Sequence, residues 1–173
     1  MRKLLGVLLF SFVLAATAMP AKPKVPSLGL GKYQKMTFAP VDFDTFLAKH
    51  PDLTATPRLA KSLADGKKIM DQQLGYYAQW WMSHKRPGPD AKELKVYVEL
   101  IQYEPGMKSV RMFNSGSAGE GLLMFHAKFV DAADETLLGA HDIEYRVTGD
   151  TAWSLAYFEC AQNITKFIDR NKK

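Results

Sequence analysis

The chain has 173 residues, 47% of them hydrophobic, and a formal net charge of +5. That is enough for one domain with a sizeable core, and too mildly basic to call for a nucleic-acid partner. A single cysteine, Cys160, excludes an intramolecular disulfide, so burial of apolar surface must hold the fold together.

The chain opens on the basic residues Arg2 and Lys3. Leu4 to Ala15 is then apolar apart from Gly6 and Ser11, and Ala16-Thr17-Ala18 puts small residues where a signal peptidase reads. Basic start, apolar centre and A-x-A exit predict a secretory signal over 1–18, with the mature protein starting at Met19. The apolar run is shorter than the ~20 residues that span a bilayer, and no cysteine follows the exit to carry a lipid. No stable membrane anchor is therefore expected after cleavage. Loss of Arg2 and Lys3 lowers the charge by two, to +3. The expected location is periplasmic or secreted.

Residues 19–32 hold Pro20, Pro23, Pro26, Gly29 and Gly31 and read as a flexible spacer, leaving 33–173 as a single domain. Met36, Phe38, Val41 and Phe43 predict a strand over about 33–43, kinked by Pro40. Thr56-Pro57 opens a helix, since Thr caps and the first helical position tolerates Pro. Leu59, Leu63, Gly66, Met70, Leu74, Tyr77 and Trp81 follow at three- and four-residue steps and make its apolar face. Gly66 and Gly75 allow a bend, and Lys85-Arg86-Pro87-Gly88-Pro89 ends it.

Leu94, Val96, Val98 and Leu100 alternate with more polar neighbours as in a half-buried strand. Glu104-Pro105-Gly106 turns the chain, Val110–Phe113 is a short strand, and 114–121 is a Gly/Ser loop. The clearest hairpin joins 121–130 to 136–147 through Asp131–Glu135. A last helix starts at Asp150 or Thr151, with Trp153, Tyr157, Cys160, Ile164, Phe167 and Ile168 on its apolar stripe. The order strand, helix, strands, helix predicts an α+β fold: a mostly antiparallel sheet with two main helices packed on one face.

Register decides the chemistry of the hairpin. A turn centred on Ala133 sets Phe129, Ala127, Phe125 and Leu123 opposite Leu137, Gly139, His141 and Ile143, and Glu120 opposite Arg146. One face is then apolar, and the other carries Met124, His126, Lys128, Asp142, Glu144 and Arg146. His126 and His141 point to opposite faces, so no shared metal is expected. Asp142 and Glu144 lie two apart on one face. They are either a pair of carboxylates able to run hydrolysis or part of a polar strand face balanced by Lys128 and Arg146.

Gly116, Gly119 and Gly121 follow Arg111. This is not a phosphate loop, because no Gly-Lys-Ser/Thr or helix follows. Its backbone N–H groups could hold an anion beside Arg111; equally, its glycines serve tight packing. Tyr76 and Trp80 sit four apart beside the apolar stripe. They are open to two readings, a partner surface or a wider buried face. Cys160 reads as a small core hydrophobe. No cofactor is implied.

The run from Leu94 to Thr148 has a recognisable form: Tyr103-Glu104-Pro105-Gly106, then Arg111, then Gly116, Gly119 and Gly121, then the hairpin. It resembles an exported bacterial envelope protein family of unknown function with an E-x-G turn, an Arg and a Gly-rich stretch before the same hairpin. More distantly it is similar to the α/β domain of the curli-secretion lipoprotein and of the N-terminal part of the Tol–Pal translocation protein. Here the lipid-bearing Cys is absent, and Ser115, Ser117, Ala118 and Glu120 interrupt the glycines. The resemblance implies an envelope location and no active-site residues.

The leading expectation is a non-enzymatic periplasmic or secreted envelope accessory protein that binds a partner, with Tyr76, Trp80, Arg111, Gly116, Gly119 and Gly121 as candidate contacts. The alternatives are a soluble carrier of a small apolar or anionic ligand, and a hydrolase using Asp142 and Glu144.

Overall fold

The computed structural model describes residues 27–106, 120–148 and 151–173. The expected signal at 1–18, the strand expected at 110–113, and Arg111, Gly116 and Gly119 lie outside the described residues.

Four segments with alternating burial form one sheet: β1 (Lys35–Phe38), β2 (Glu93–Glu104), β3 (Gly121–Asp131) and β4 (Leu137–Val147), in spatial order β1-β2-β3-β4. β1 and β2 are parallel, because a helical crossover separates them in sequence; β2–β3 and β3–β4 are antiparallel. The described helices are α1 (Asp44–Lys49), α2 (Pro51–Ala55), α3 (Pro57–Lys85) and α4 (Trp153–Arg170), with a 3-10 turn at Leu30–Lys32. The two long helices pack together on one face of the sheet, α3 on the β1 side and α4 over β3 and β4. The expected α+β fold is the observed one.

The core lies between these layers. Leu94, Val96, Val98 and Leu100 of β2 and Leu123, Phe125, Ala127 and Phe129 of β3 meet Leu63, Met70, Leu74 and Trp81 of α3 and Tyr157, Cys160, Ile164 and Ile168 of α4. Each large side chain so buried contributes about 1.5–3 kcal/mol. At Gly66 the Tyr157 ring of α4 packs directly on the α3 backbone. A Cβ there would overlap the Tyr157 ring, so the glycine read as a point of bending serves helix–helix contact instead.

Three expectations need correction. The strand read over 33–43 is only four residues long. Pro40 cannot donate to a ladder, and pairing lapses beside it. Val41 is held instead by α3: its N–H donates to Asp71 Oδ1 (2.7 Å), and its carbonyl accepts from Lys67 Nζ (2.7 Å). Asp42 then rejoins β2 through Val98 O and Leu100 N–H (2.8 Å each). Its carboxylate takes the Thr45 N–H and hydroxyl at the start of α1.

The spacer read over 19–32 is packed from Ser27 onward. Leu30 is fully buried, its N–H donates to Asn171 O (2.8 Å), and the Gly31 N–H donates to Lys172 O (3.1 Å). These bonds tie the segment to the end of α4.

The hairpin register differs by two residues. Phe125 faces Ile143, Ala127 faces His141, Leu123 faces Tyr145 and Arg146 faces Leu122, with Leu138 the extra residue of a bulge beside Phe129/Val130. The Asp131 and Asp134 carboxylates accept the Ala133 and Thr136 N–H groups and shape the turn. A two-residue shift preserves the faces. The apolar face still meets the helices, and His126 and His141 still point opposite ways.

Candidate functional site

The last turns of α3 carry four aromatic residues whose surroundings differ with helical phase. Trp81 points into the core at 1% exposure and donates its Nε1–H to Tyr33 O (3.3 Å). Tyr77, half-buried on the flank facing α4, donates its hydroxyl to Asp169 Oδ1 (2.5 Å). Burial, and then the Asp169 carboxylate, push its phenol well above the ordinary tyrosine range. Tyr76 and Trp80 face outward at 63% and 44% exposure. The reading of these two as a wider buried face is therefore set aside.

Trp80 is exposed and yet fixed. Its ring stacks on Tyr77 (centroids 5.5 Å apart, planes at 27°) and meets His84 at 4.4 Å. The His84 Nδ1–H donates to the Trp80 carbonyl (2.8 Å). Lys172 Nζ stands 5.3 Å from the Trp80 centroid and 4.8 Å from that of Trp81, cation–π contacts worth about 0.5–1 kcal/mol at exposed sites. Lys172 also pairs with Asp169 (2.6 Å). Lys85 lies 5.2 Å from the Trp81 ring and donates to Gly31 O (3.1 Å). The result is an aromatic shelf, held by these contacts and bordered by cations, at the joint between the ends of α3 and α4.

Tyr77, read as part of the apolar face, is half-buried beside this shelf, and His84, Asp169 and Lys172 are parts of it that the sequence reading did not assign there. His84 was within reach of it, four residues after Trp80. Lys172 and Asp169 were not, because only the packing of α4 against α3 brings them there.

Gly121, the described glycine of the candidate loop, is a packing residue. A Cβ there would stand 2.6 Å from the Trp153 ring. Asp142 and Glu144 lie on the sheet face opposite the helices, 58% and 45% exposed. Asp142 is hydrogen-bonded to His126 Nδ1 (2.5 Å), and Glu144 is ion-paired with Arg146 (2.8 Å). Arg146 also reaches Glu120 at 3.7 Å, diagonally and not from the directly opposed position.

A mouth of about 500 Å³ opens where α3 and α4 begin, lined by Arg58, Ser62, Tyr103, Gly106, Thr151 and Trp153 among others. Among the described residues no group of three His, Cys, Asp or Glu could hold a metal ion, and no helix is long and apolar enough to cross a membrane.

No family model matches the sequence, and no curated protein matches it. Among solved structures, the chain is similar to the PelC dodecamer from Paraburkholderia phytofirmans in two crystal forms. One shares 9% identity over 83% of this chain and 92% of that one, with a TM-score of 0.47. The other shares 12% over 83% and 93%, with a TM-score of 0.44. A candidate lipoprotein from Caulobacter crescentus CB15 shares 14% identity over 82% of this chain and 92% of that one, with a TM-score of 0.41. These figures describe a likeness of outline only.

Proposed function

We propose that this chain is an exported, non-enzymatic protein of the bacterial cell envelope that acts by binding through the Tyr76–Trp80 shelf. One observation carries the reading: Trp80 is nearly half exposed and still held by Tyr77, His84 and Lys172. A large ring presented in a fixed pose loses little conformational freedom on binding, and Trp and Tyr are among the residues that dominate interfaces. The basic-apolar leader supports export. The carboxylates weighed for hydrolysis favour binding over catalysis, since Asp142 and Glu144 are 58% and 45% exposed and each is held by a neighbouring side chain, His126 and Arg146.

Retention of envelope components by tagged protein tests the reading. Tyr76→Ala and Trp80→Ala are expected to lose retained material while staying folded. Undiminished retention by both would remove the shelf from function. The mouth at the start of α3 and α4 supports a second reading, a carrier of a small ligand, which predicts a retained small molecule in native mass spectrometry.

A further inference from the structure

We infer that the occupant of the shelf is an anionic lipid surface, so that the chain lies on a membrane through the joined ends of α3 and α4. The inference rests on the binding role of Trp80 and names what Trp80 meets. Three observations converge. The exposed rings are Trp and Tyr, whose apolar body and polar edge suit the headgroup level of a bilayer. They are bordered by cations: Lys85 and Arg86 follow at the end of α3, and Lys172, just past the end of α4, stands over Trp80. The carboxylate at the shelf, Asp169, is already engaged by Lys172 and Tyr77. With Lys172 and Asp169 offsetting one another, Lys85 and Arg86 leave the charge beside the rings positive, and its complement is a phosphate-rich surface.

Lys85 and Lys172 hold their ammonium groups over the Trp81 ring, 5.2 and 4.8 Å from its centroid, which keeps two positive charges beside the exposed rings. Two rings with a few cations make a peripheral contact, shallow and reversible, and not an insertion.

The full chain serves for the test, because its three tryptophans, Trp80, Trp81 and Trp153, all lie outside the apolar leader. Tryptophan emission then comes from the folded domain alone, and the same assay on protein starting at Met19 keeps the basic, apolar leader from carrying the domain to the vesicles. Vesicles with brominated acyl chains are added, made either of phosphatidylcholine alone or of phosphatidylcholine with equal phosphatidylglycerol. Quenching at about tenfold lower lipid with the anionic vesicles is expected, since each basic residue near such a surface strengthens binding about fivefold. High salt should abolish that preference. Trp80→Phe keeps an apolar ring for folding and should lose most of the quenching, because Trp81 is buried.

Equal quenching of wild type and Trp80→Phe, or binding indifferent to both phosphatidylglycerol and salt, would overturn the inference. Vesicles that leave emission unchanged, alongside envelope retention that still depends on Trp80, would mean a protein partner; the lipid inference would fail and the binding role would stand. If neither responds to Trp80, both fall.

Discussion

Trp80 and Trp81 are adjacent in sequence and opposite in circumstance, which makes them a sensitive pair of probes. Trp81 is 1% exposed with its indole N–H bonded, so Trp81→Ala should cost about 3–5 kcal/mol through the cavity it leaves. Trp80→Ala removes one half-exposed ring and should cost about 1 kcal/mol. Denaturant titration of the two variants checks this, and similar losses would place Trp80 in the core. Sequence periodicity put Trp81 on the apolar stripe but left Trp80 undecided. How much of that flank is covered depends on where α4 lies, and no local pattern around residue 80 encodes it. His141 gives a second residue-scale prediction. Its ring stacks on Phe167 of α4 (4.0 Å, 11°), and burial pushes its pKa below the ordinary histidine value, against the opposing pull of Asp142. The unfolded chain then binds a proton at higher pH than the folded one. Stability should fall as pH drops through the ordinary value near 6.5, and this part of the fall should vanish in His141→Gln. Melting temperatures of both proteins at pH 7.5 and 5.5 decide the point; equal falls would mean that His141 titrates as if exposed.

At the scale of elements, the long helices and the alternating strands were legible because each repeats its pattern over many residues. The helix read as opening at Thr56-Pro57 and ending within Lys85-Arg86-Pro87-Gly88-Pro89 is observed over Pro57–Lys85. The short elements were not legible. α1 and α2 have six and five residues, too few to show a period, and they rest on the bonds from Thr45 to the Asp42 carboxylate and on Pro51. The hairpin's faces followed from its sequence, whereas its pairing did not. The turn's carboxylate bonds and the bulge at Leu138 are local geometry that hydrophobic alternation does not record. The passage from β1 to α1 depends on α3 in the same way. Lys67 and Asp71, paired at 3.0 Å one turn apart, satisfy both backbone groups of Val41. Asp71→Ala should therefore cost about 1–3 kcal/mol by leaving the Val41 N–H without its acceptor, more than a surface i,i+4 ion pair at about 0.3–0.5 kcal/mol. Asp71→Asn should recover part of the loss, since an amide oxygen still accepts that bond. Chemical denaturation of the two variants tests it. A loss below about 0.5 kcal/mol for Asp71→Ala would reduce the interaction to an ordinary surface pair.

For the whole molecule, the consequence of building one core without a disulfide is a limit on the alkaline side. Burial pushes the Cys160 thiol up to about 12, with Glu159 adding to the effect. Burial and then the hydrogen bond to Asp131 push the Tyr33 phenol up to about 12. Tyr157, buried between the helices and the sheet with no hydrogen-bond partner among the described residues, is raised further still. In the unfolded chain these groups ionise near 9 and 10, their ordinary values. Below pH 9 both states keep the protons, and the contribution to stability is whole. From pH 9 upward the unfolded chain releases them first, so stability must fall as pH climbs toward 12. The groups lie in different parts of the core, on α4 and in the segment before β1, so the loss belongs to the fold and not to one local contact. Urea midpoints measured from pH 8 to 11 should decline from about pH 9. In Cys160→Ala the onset should move toward pH 10, because the thiol is the group with the lowest ordinary value. The same burial predicts that native Cys160 resists thiol reagents at pH 8 and reacts once urea unfolds the chain. Rapid labelling of the native protein, or a midpoint flat to pH 11, would mean that Cys160 is not enclosed by α3, α4 and the sheet.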